Sequence, residues 1–235
     1  MKSILLLIAL LIITFTNVKA EIKNFEQGSE LSKIDLEKGI NLGRYSTEND
    51  QNKVGLLYAM NLSPFAAADI TSYEISYSFK LGSLLGNRTW IDLGYQSTSA
   101  LYSQLGKPSS SVHSGYLQDD INAQTVTLKS YYIGASIQSN LVQNLISYDR
   151  LYESISAAVT YNSYSEEYAE GTFSGYGLKS TLGLYIRSSQ HMHYGIKMGY
   201  NLTPVTKAPE EGETSSSNTL MLSFATVGFD LSFYF

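Results

Sequence analysis

From about residue 53 onward, apolar and polar residues alternate with a period of two over eight separate stretches. That spacing sends successive side chains to opposite faces of a β-strand. The clearest stretch is Thr71 to Lys80, where Tyr73, Ile75, Tyr77 and Phe79 share one face and Ser72, Glu74, Ser76, Ser78 and Lys80 the other. Before it, Lys53 to Leu62 aligns Val54, Leu56, Tyr58, Met60 and Leu62. After it, Arg88 to Leu101 sets Ile91, Leu93 and Tyr95 against Asp92, Gly94 and Gln96. Gln124 to Gln138 changes phase between Leu128 and Tyr131, which predicts a β-bulge. Leu151 to Asn162 is the fifth strand, with Glu153 on its apolar phase, a position suited only to a membrane interface. In the sixth, Tyr176, Leu178, Leu182, Leu184 and Ile186 oppose Lys179, Thr181, Tyr185 and Arg187. In the seventh, Met192, Tyr194, Ile196, Met198, Tyr200 and Leu202 oppose His191, His193, Gly195, Lys197 and Asn201. The eighth runs from about Leu220 to the end, with a second phase slip near Phe224; there Val227, Phe229, Leu231 and Phe233 oppose Gly228, Asp230, Ser232 and Tyr234.

That last strand ends FDLSFYF, with Phe235 as the terminal residue. A terminal aromatic closing an alternating strand resembles the C-terminal signature of bacterial outer-membrane β-barrels, and the seven other alternating segments agree with it. The resemblance is to small barrels of the eight-stranded outer-membrane superfamily. It implies an all-β fold, a transmembrane antiparallel up-and-down barrel of eight strands, with ten or twelve as the alternatives. It also implies both termini in the periplasm, short periplasmic turns and long extracellular loops, so the gaps after strands one, three, five and seven should be the long ones. Tyr102 to Ala123 is the longest gap, rich in Ser, Gly and Asp, and Thr203 to Asn218 is acidic and Ser-rich, whereas Ser188 to Gln190 is short. Pro64, Pro108, Pro204 and Pro209 all fall between the marked segments, where a missing N–H costs no ladder bond. Tyrosines and phenylalanines on the apolar phase, with Trp90 at a strand start, suggest girdles at the two interfaces. The competing fold is a soluble all-β sandwich or calycin-like barrel, which would turn its apolar residues inward.

At the N-terminus, Lys2 precedes an apolar run from Ile4 to Phe15, and Val18-Lys19-Ala20 carries the residues read by a signal peptidase. Residues 1–20 are therefore expected to be a signal peptide, which places the chain in the cell outer membrane of a Gram-negative bacterium. Residues 21–52 are expected to form an N-terminal periplasmic extension or plug, with a short helix from Ser29 to Lys38 ending at Gly39 and a short strand starting at Ile40 and Leu42. The barrel would occupy residues 53–235. Removing Lys2 and Lys19 from 16 basic residues leaves 14 against 21 acidic ones, a net charge of −7. That balance disfavours a nucleic-acid partner, and the absence of Cys excludes disulfides and thiolate chemistry.

Candidate chemistry is sparse. The inward phase gathers Glu74, Asp92 and Asp230 with Lys80, Lys179, Lys197 and Arg187, and an eight-stranded barrel has room for little beyond its own side chains. A lumen filled by paired charges is expected, with a narrow channel for small solutes or ions as the alternative. His191 and His193 point the same way on one strand, but no third ligand for a metal is evident. The lipid A deacylase family, also small outer-membrane barrels, uses His-x-Ser; here the spacing reads His191-Met192-His193 without a serine, so these are expected to be rim histidines. His113 lies among Ser109, Ser110, Ser111 and Ser114 with Asp119 and Asp120 nearby, a composition that gives a lipid-modifying enzyme as the lesser alternative. Glu210, Glu211 and Glu213 suit a solvated loop tip more than a cation site. The expectation is a porin-like envelope protein with no assembled catalytic set, cofactor or metal. Its partners would be outer-membrane lipid and lipopolysaccharide, the assembly machinery through Phe235, and any surface ligand that meets the extracellular loops.

Overall fold

The computed structural model describes residues 50–61, 70–84, 87–105, 117–146, 150–166, 172–189, 191–207 and 218–235. The expected signal peptide, the extension with its helix and short strand, the group around His113, the triplet Glu210, Glu211 and Glu213, and Pro64, Pro108 and Pro209 lie outside them. The described residues form eight antiparallel strands: β1 (Asn52–Asn61), β2 (Thr71–Leu84), β3 (Asn87–Leu101), β4 (Thr125–Ser139), β5 (Leu151–Ser165), β6 (Phe173–Arg187), β7 (Met192–Lys207) and β8 (Asn218–Tyr234). Each pairs with its neighbours in sequence and β8 closes onto β1, so the sheet has no free edge. Three short helices complete the described chain: α1 (Tyr102–Leu105), α2 (Gln118–Ala123) and α3 (Leu141–Ile146). The end of the barrel that carries Asn52 and Phe235 is called the terminal end below, and the opposite one the loop end.

The alternating phases read from the sequence hold on the outer wall. Leu56, Tyr58, Tyr73, Ile75, Ile133, Ile155, Val159, Leu178, Ile196 and Phe229 are all exposed, while Glu74, Asp92, Lys179 and Asp230 are buried in the lumen. So much apolar area facing outward around a closed ring is stable in lipid and not in water, and it rules out the soluble alternative. Toward the loop end the apolar band stops at a line of tyrosines. Tyr95, Tyr131, Tyr161 and Tyr176 stand opposite one another across four consecutive strands, and Tyr58 and Tyr73 pack together with ring centroids 5.1 Å apart. From Tyr176 to Ile186 on β6, ten residue steps at a tilt of about 45° span roughly 23 Å, close to the ~25 Å apolar band of such barrels.

Beyond this girdle the polarity of the wall inverts. On β4, Thr125 and Lys129 are exposed whereas Val126 and Leu128 are buried; on β8, Leu220, Leu222 and Phe224 point inward. The phase changes near Leu128 and Phe224 are therefore not bulges. The β3–β4, β4–β5 and β7–β8 registers run through them without a shift. Here the barrel has left the lipid, so outside becomes polar and inside apolar, as in a soluble barrel. The register shift that does occur lies between Lys80 and Gly82, where Gly82 takes a φ of 152° that a side chain would strain.

Three further expectations change. Pro204 lies within β7, which extends to Lys207, and the β6–β7 pairing breaks between Ser174 and Leu178 opposite it, because proline has no N–H to donate. The connection after β4 is a long one and carries α3, although it lies at the terminal end. Trp90 belongs to no interfacial girdle, being fully buried in the lumen.

Candidate functional site

The lumen concentrates charge, and among the described residues it is built in three layers. In the middle layer Glu74 on β2 is the hub. Its Oε1 accepts from Lys197 Nζ at 2.8 Å and from the Tyr132 hydroxyl at 2.7 Å, and its Oε2 accepts from Lys179 Nζ. Lys179 also donates to Gln96 Oε1 at 2.8 Å and sits 4.3 Å from the centre of the Tyr132 ring. Gln96 Nε2 passes the chain on to Ser72 Oγ at 2.7 Å, which shares a 2.6 Å bond with Thr98 Oγ1. Asp230 accepts from the Tyr185 hydroxyl and lies 4.0 Å from Lys197, while Lys53 pairs with Asp92 at 3.7 Å. Three carboxylates thus meet three ammonium groups. Between them remains a cavity of about 30 Å³, lined by Ser136, Ser156 and Thr181 among others. That is room for about two water molecules.

Gly94 explains how Tyr132 reaches the hub. The two residues stand opposite each other on β3 and β4, and a Cβ on Gly94 would lie 2.3 Å from the Tyr132 ring. Gly94→Ala is therefore expected to push Tyr132 off Glu74 and lower stability by about 1–3 kcal/mol in urea unfolding from vesicles. A variant as stable as the parent would contradict this packing.

The terminal-end layer is aromatic. Trp90 and Tyr234 meet edge to face at 5.7 Å, Tyr152 and Tyr185 stack at 5.2 Å, and His193 lies 4.2 Å from Tyr234. Hydrogen bonds join them: the Tyr152 hydroxyl to His193 Nδ1 and to the Tyr234 hydroxyl, both at 3.0 Å, and Gln138 Nε2 to the Tyr234 hydroxyl at 2.7 Å. The expectation of rim histidines is corrected for His193, which is 1% exposed inside this plug; His191 is exposed, with Nδ1 3.0 Å from the Tyr234 carbonyl oxygen. The two do not converge on a common point, and His193 has a tyrosine where a catalytic triad would need a carboxylate. Among the described residues no cluster of three or more His, Asp or Glu is placed to hold a metal.

The loop-end layer is apolar. Ile70, Ala100, Val126, Leu128, Tyr164, Phe173, Val205, Leu220, Leu222 and Phe224 fill the barrel mouth, and Tyr102 and Leu105 of α1 with Ile121 of α2 close over them. The neck of this connection is tied by Tyr102 N–H to the Gln124 carbonyl at 3.0 Å. The two ends of the gap from Tyr102 to Ala123, read from composition as a Ser-, Gly- and Asp-rich loop, are thus short helices packed on the barrel mouth. Asp119 and Asp120 remain exposed on α2.

Two charged residues lie at the terminal end, Arg187 in place of the expected lumen network and Glu153 at an interface as expected. Arg187 does not join the lumen network: it stacks 5.0 Å over Tyr152 and donates to Asn140 Oδ1 at 2.8 Å and Gln143 Oε1 at 3.3 Å. Glu153 does sit on the lipid phase, but it is covered by α3, whose Leu141 and Val142 N–H groups donate to its carboxylate at 2.7 and 3.1 Å. Lys80 is half-buried beside the Gly82 bulge. Burial pushes the Asp50 carboxyl up from its usual range, against the pull of His191, Arg88 and Lys80 nearby. Of the lumen residues, sequence reasoning found Glu74, Asp92, Asp230, Lys179 and Lys197 and missed Lys53, Trp90 and Tyr132. For Trp90 the signal was present, since it shares the inward phase with Asp92 and Gln96.

No protein-family model and no curated protein matches the chain. Solved structures do. Neisserial surface protein A is 12% identical with a TM-score of 0.49, covering 78% of this chain and 96% of its own. The outer membrane protein OprG from Pseudomonas aeruginosa is 7% identical with a TM-score of 0.43, covering 79% and 96%. Ail, the attachment invasion locus protein of Yersinia pestis, is 10% identical with a TM-score of 0.37, covering 79% and 96%.

Proposed function

We propose that this chain is an integral outer-membrane barrel of a Gram-negative envelope whose lumen is a structural core, and which acts on its surroundings through its loop end. The observation that carries this reading is the closure of the lumen in three successive layers, apolar, ionic and aromatic, with a cavity of only about 30 Å³ in the ionic one. The apolar outer band, the tyrosine line, the expected signal peptide and the terminal strand ending at Phe235 support the location. With both wall and interior committed to lipid and packing, specificity falls to the connections beyond β3 and β7. Lipid and lipopolysaccharide around the band, and the assembly machinery reading Phe235, are the further partners of this reading.

Planar-bilayer recording tests the closed lumen. The folded protein is expected to give no stable conductance steps, and reproducible ones would establish the channel reading in its place. Trimming residues 106–116, residues 208–217 and, separately, the segment before β1, then measuring binding to cells and envelope components, tests the loops. Loss on trimming the N-terminal segment alone would overturn the assignment to the loop end. Unchanged lipid A masses with and without the protein are expected, and a changed mass would favour the enzyme reading.

A further inference from the structure

Direct contacts alone do not close the ionic layer. Glu74 meets Lys197 at 2.8 Å and Lys179 as an equally close partner. The other two ion pairs among the described residues stand further apart, Lys53–Asp92 at 3.7 Å and Lys197–Asp230 at 4.0 Å. These lengths exceed a hydrogen bond, and at such lengths one water molecule can bond both groups at once. All four residues line the cavity of about 30 Å³. Two polar atoms of its lining, Asp92 Oδ1 and Ser136 Oγ, have no hydrogen-bond partner among the described residues, although the residues are only 8% and 2% exposed. A buried polar atom left without a partner is costly, and native folds rarely keep one.

The sequence holds this space open. Opposite Asp92 on β4 stands Gly134, and opposite that on β5 stands Ala158; a Cβ on Gly134 would lie 2.5 Å from the Ala158 Cβ. No side chain therefore stands directly opposite Asp92 on β4. Ser136, two residues further along, is its diagonal neighbour, with Cβ atoms less than about 8 Å apart, within reach of one bridging water. The neighbour of Ser136 on β5, Ser156, bonds Thr181 Oγ1 at 2.6 Å instead. Charge then sets the class of occupant. Lys53, Lys179 and Lys197 balance Glu74, Asp92 and Asp230, so a further ion would enter a lipid-embedded core without a counter-charge. A neutral molecule that both donates and accepts can serve an ammonium, a carboxylate and a hydroxyl together. At roughly 10–15 Å³ for each water, the space holds about two.

We infer that the cavity is a binding site for about two ordered water molecules that complete the ionic layer. One bridges Lys53, Asp92 and Ser136, and the other bridges Lys197 and Asp230. Glu74 is thus held by direct bonds, while the ammonium groups hold the two aspartates through solvent. The site rests on the closed lumen proposed for this barrel. Planar-bilayer recording tests that closure separately: conductance steps would strike the closed lumen, whereas a silent barrel with a dry cavity would strike this site alone.

Two measurements on the full chain folded into vesicles test it. Ser136→Ala separates a wet cavity from a dry one by the sign of its effect. With water bonded to Oγ, the deletion removes a hydrogen bond, and the urea midpoint is expected to fall by roughly 0.3–0.5 M. In a dry cavity the same deletion removes an unpaired buried hydroxyl, so an unchanged or raised midpoint would overturn the inference. Solid-state NMR of the parent reads the occupant directly. Magnetisation from water protons is expected to reach Ser136 and Thr181, with Leu128 and Leu222 of the loop-end layer as the dry reference. Silence at Ser136 and Thr181 would overturn the inference. Resonances of these two residues that shift when sodium is exchanged for potassium would reveal a bound cation in place of water, and would overturn it too.

Discussion

Lys179→Met is expected to destabilise the barrel by about 3–5 kcal/mol, read as a lowered urea midpoint for the protein refolded into vesicles. Glu74 and Lys179 are almost fully buried, so removing the ammonium group strips the carboxylate of one of its two cationic partners and leaves Gln96 Oε1 without its donor. The surviving Lys197 is shared with Asp230 and cannot replace it. The double variant Glu74→Gln with Lys179→Met removes both charges together and should recover much of the loss, because a matched pair taken out of a low-dielectric site costs far less than half of one. A single variant as stable as the parent, or a double variant no better than the single, would mean that the ionic layer does not hold the barrel as its geometry indicates.

Trp90→Ala is expected to cost a similar ~3–5 kcal/mol, the range for emptying a large buried aromatic site. The indole fills the space between Tyr234 and Lys53, with the ammonium 5.2 Å from the ring centre, and it is 0% exposed. Cavity formation would release Tyr234, whose hydroxyl is held by Gln138 and Tyr152, so the plug should loosen as a unit. Trp90→Phe keeps an aromatic body and is expected to lose less than half as much. The check is the same urea titration, supported by gel migration with and without heating. If Trp90→Ala unfolded at the parent's midpoint, the terminal-end layer would be ornamental to stability.

The outer wall was legible from the chain alone because lipid imposes one rule on every strand. Alternate residues must be apolar, whatever stands beside them, and Tyr73, Ile75, Tyr77 and Phe79 announce this without a partner in view. Strand existence, count and order followed from that rule, while the gap lengths misled after β4, where a long connection lies at the terminal end. The interior obeys no such rule. Whether Val126 and Leu128 mark a bulge or a change of surroundings depends on where the bilayer ends, and that depends on how the eight strands are staggered together. Likewise Trp90 looks interfacial at a strand start until closure of the barrel puts Tyr234 of β8 against it, a contact between residues 144 positions apart in sequence. The charge list for the lumen was readable as a list, except for Lys53. That Glu74 would take Lys179, Lys197 and Tyr132 while Arg187 left to fasten α3 was decided by register, which sets which inward side chains share a level. A period-two pattern thus determined what faces lipid, and only the closed ring determined what faces what across the lumen, since those distances exist only once β8 has met β1.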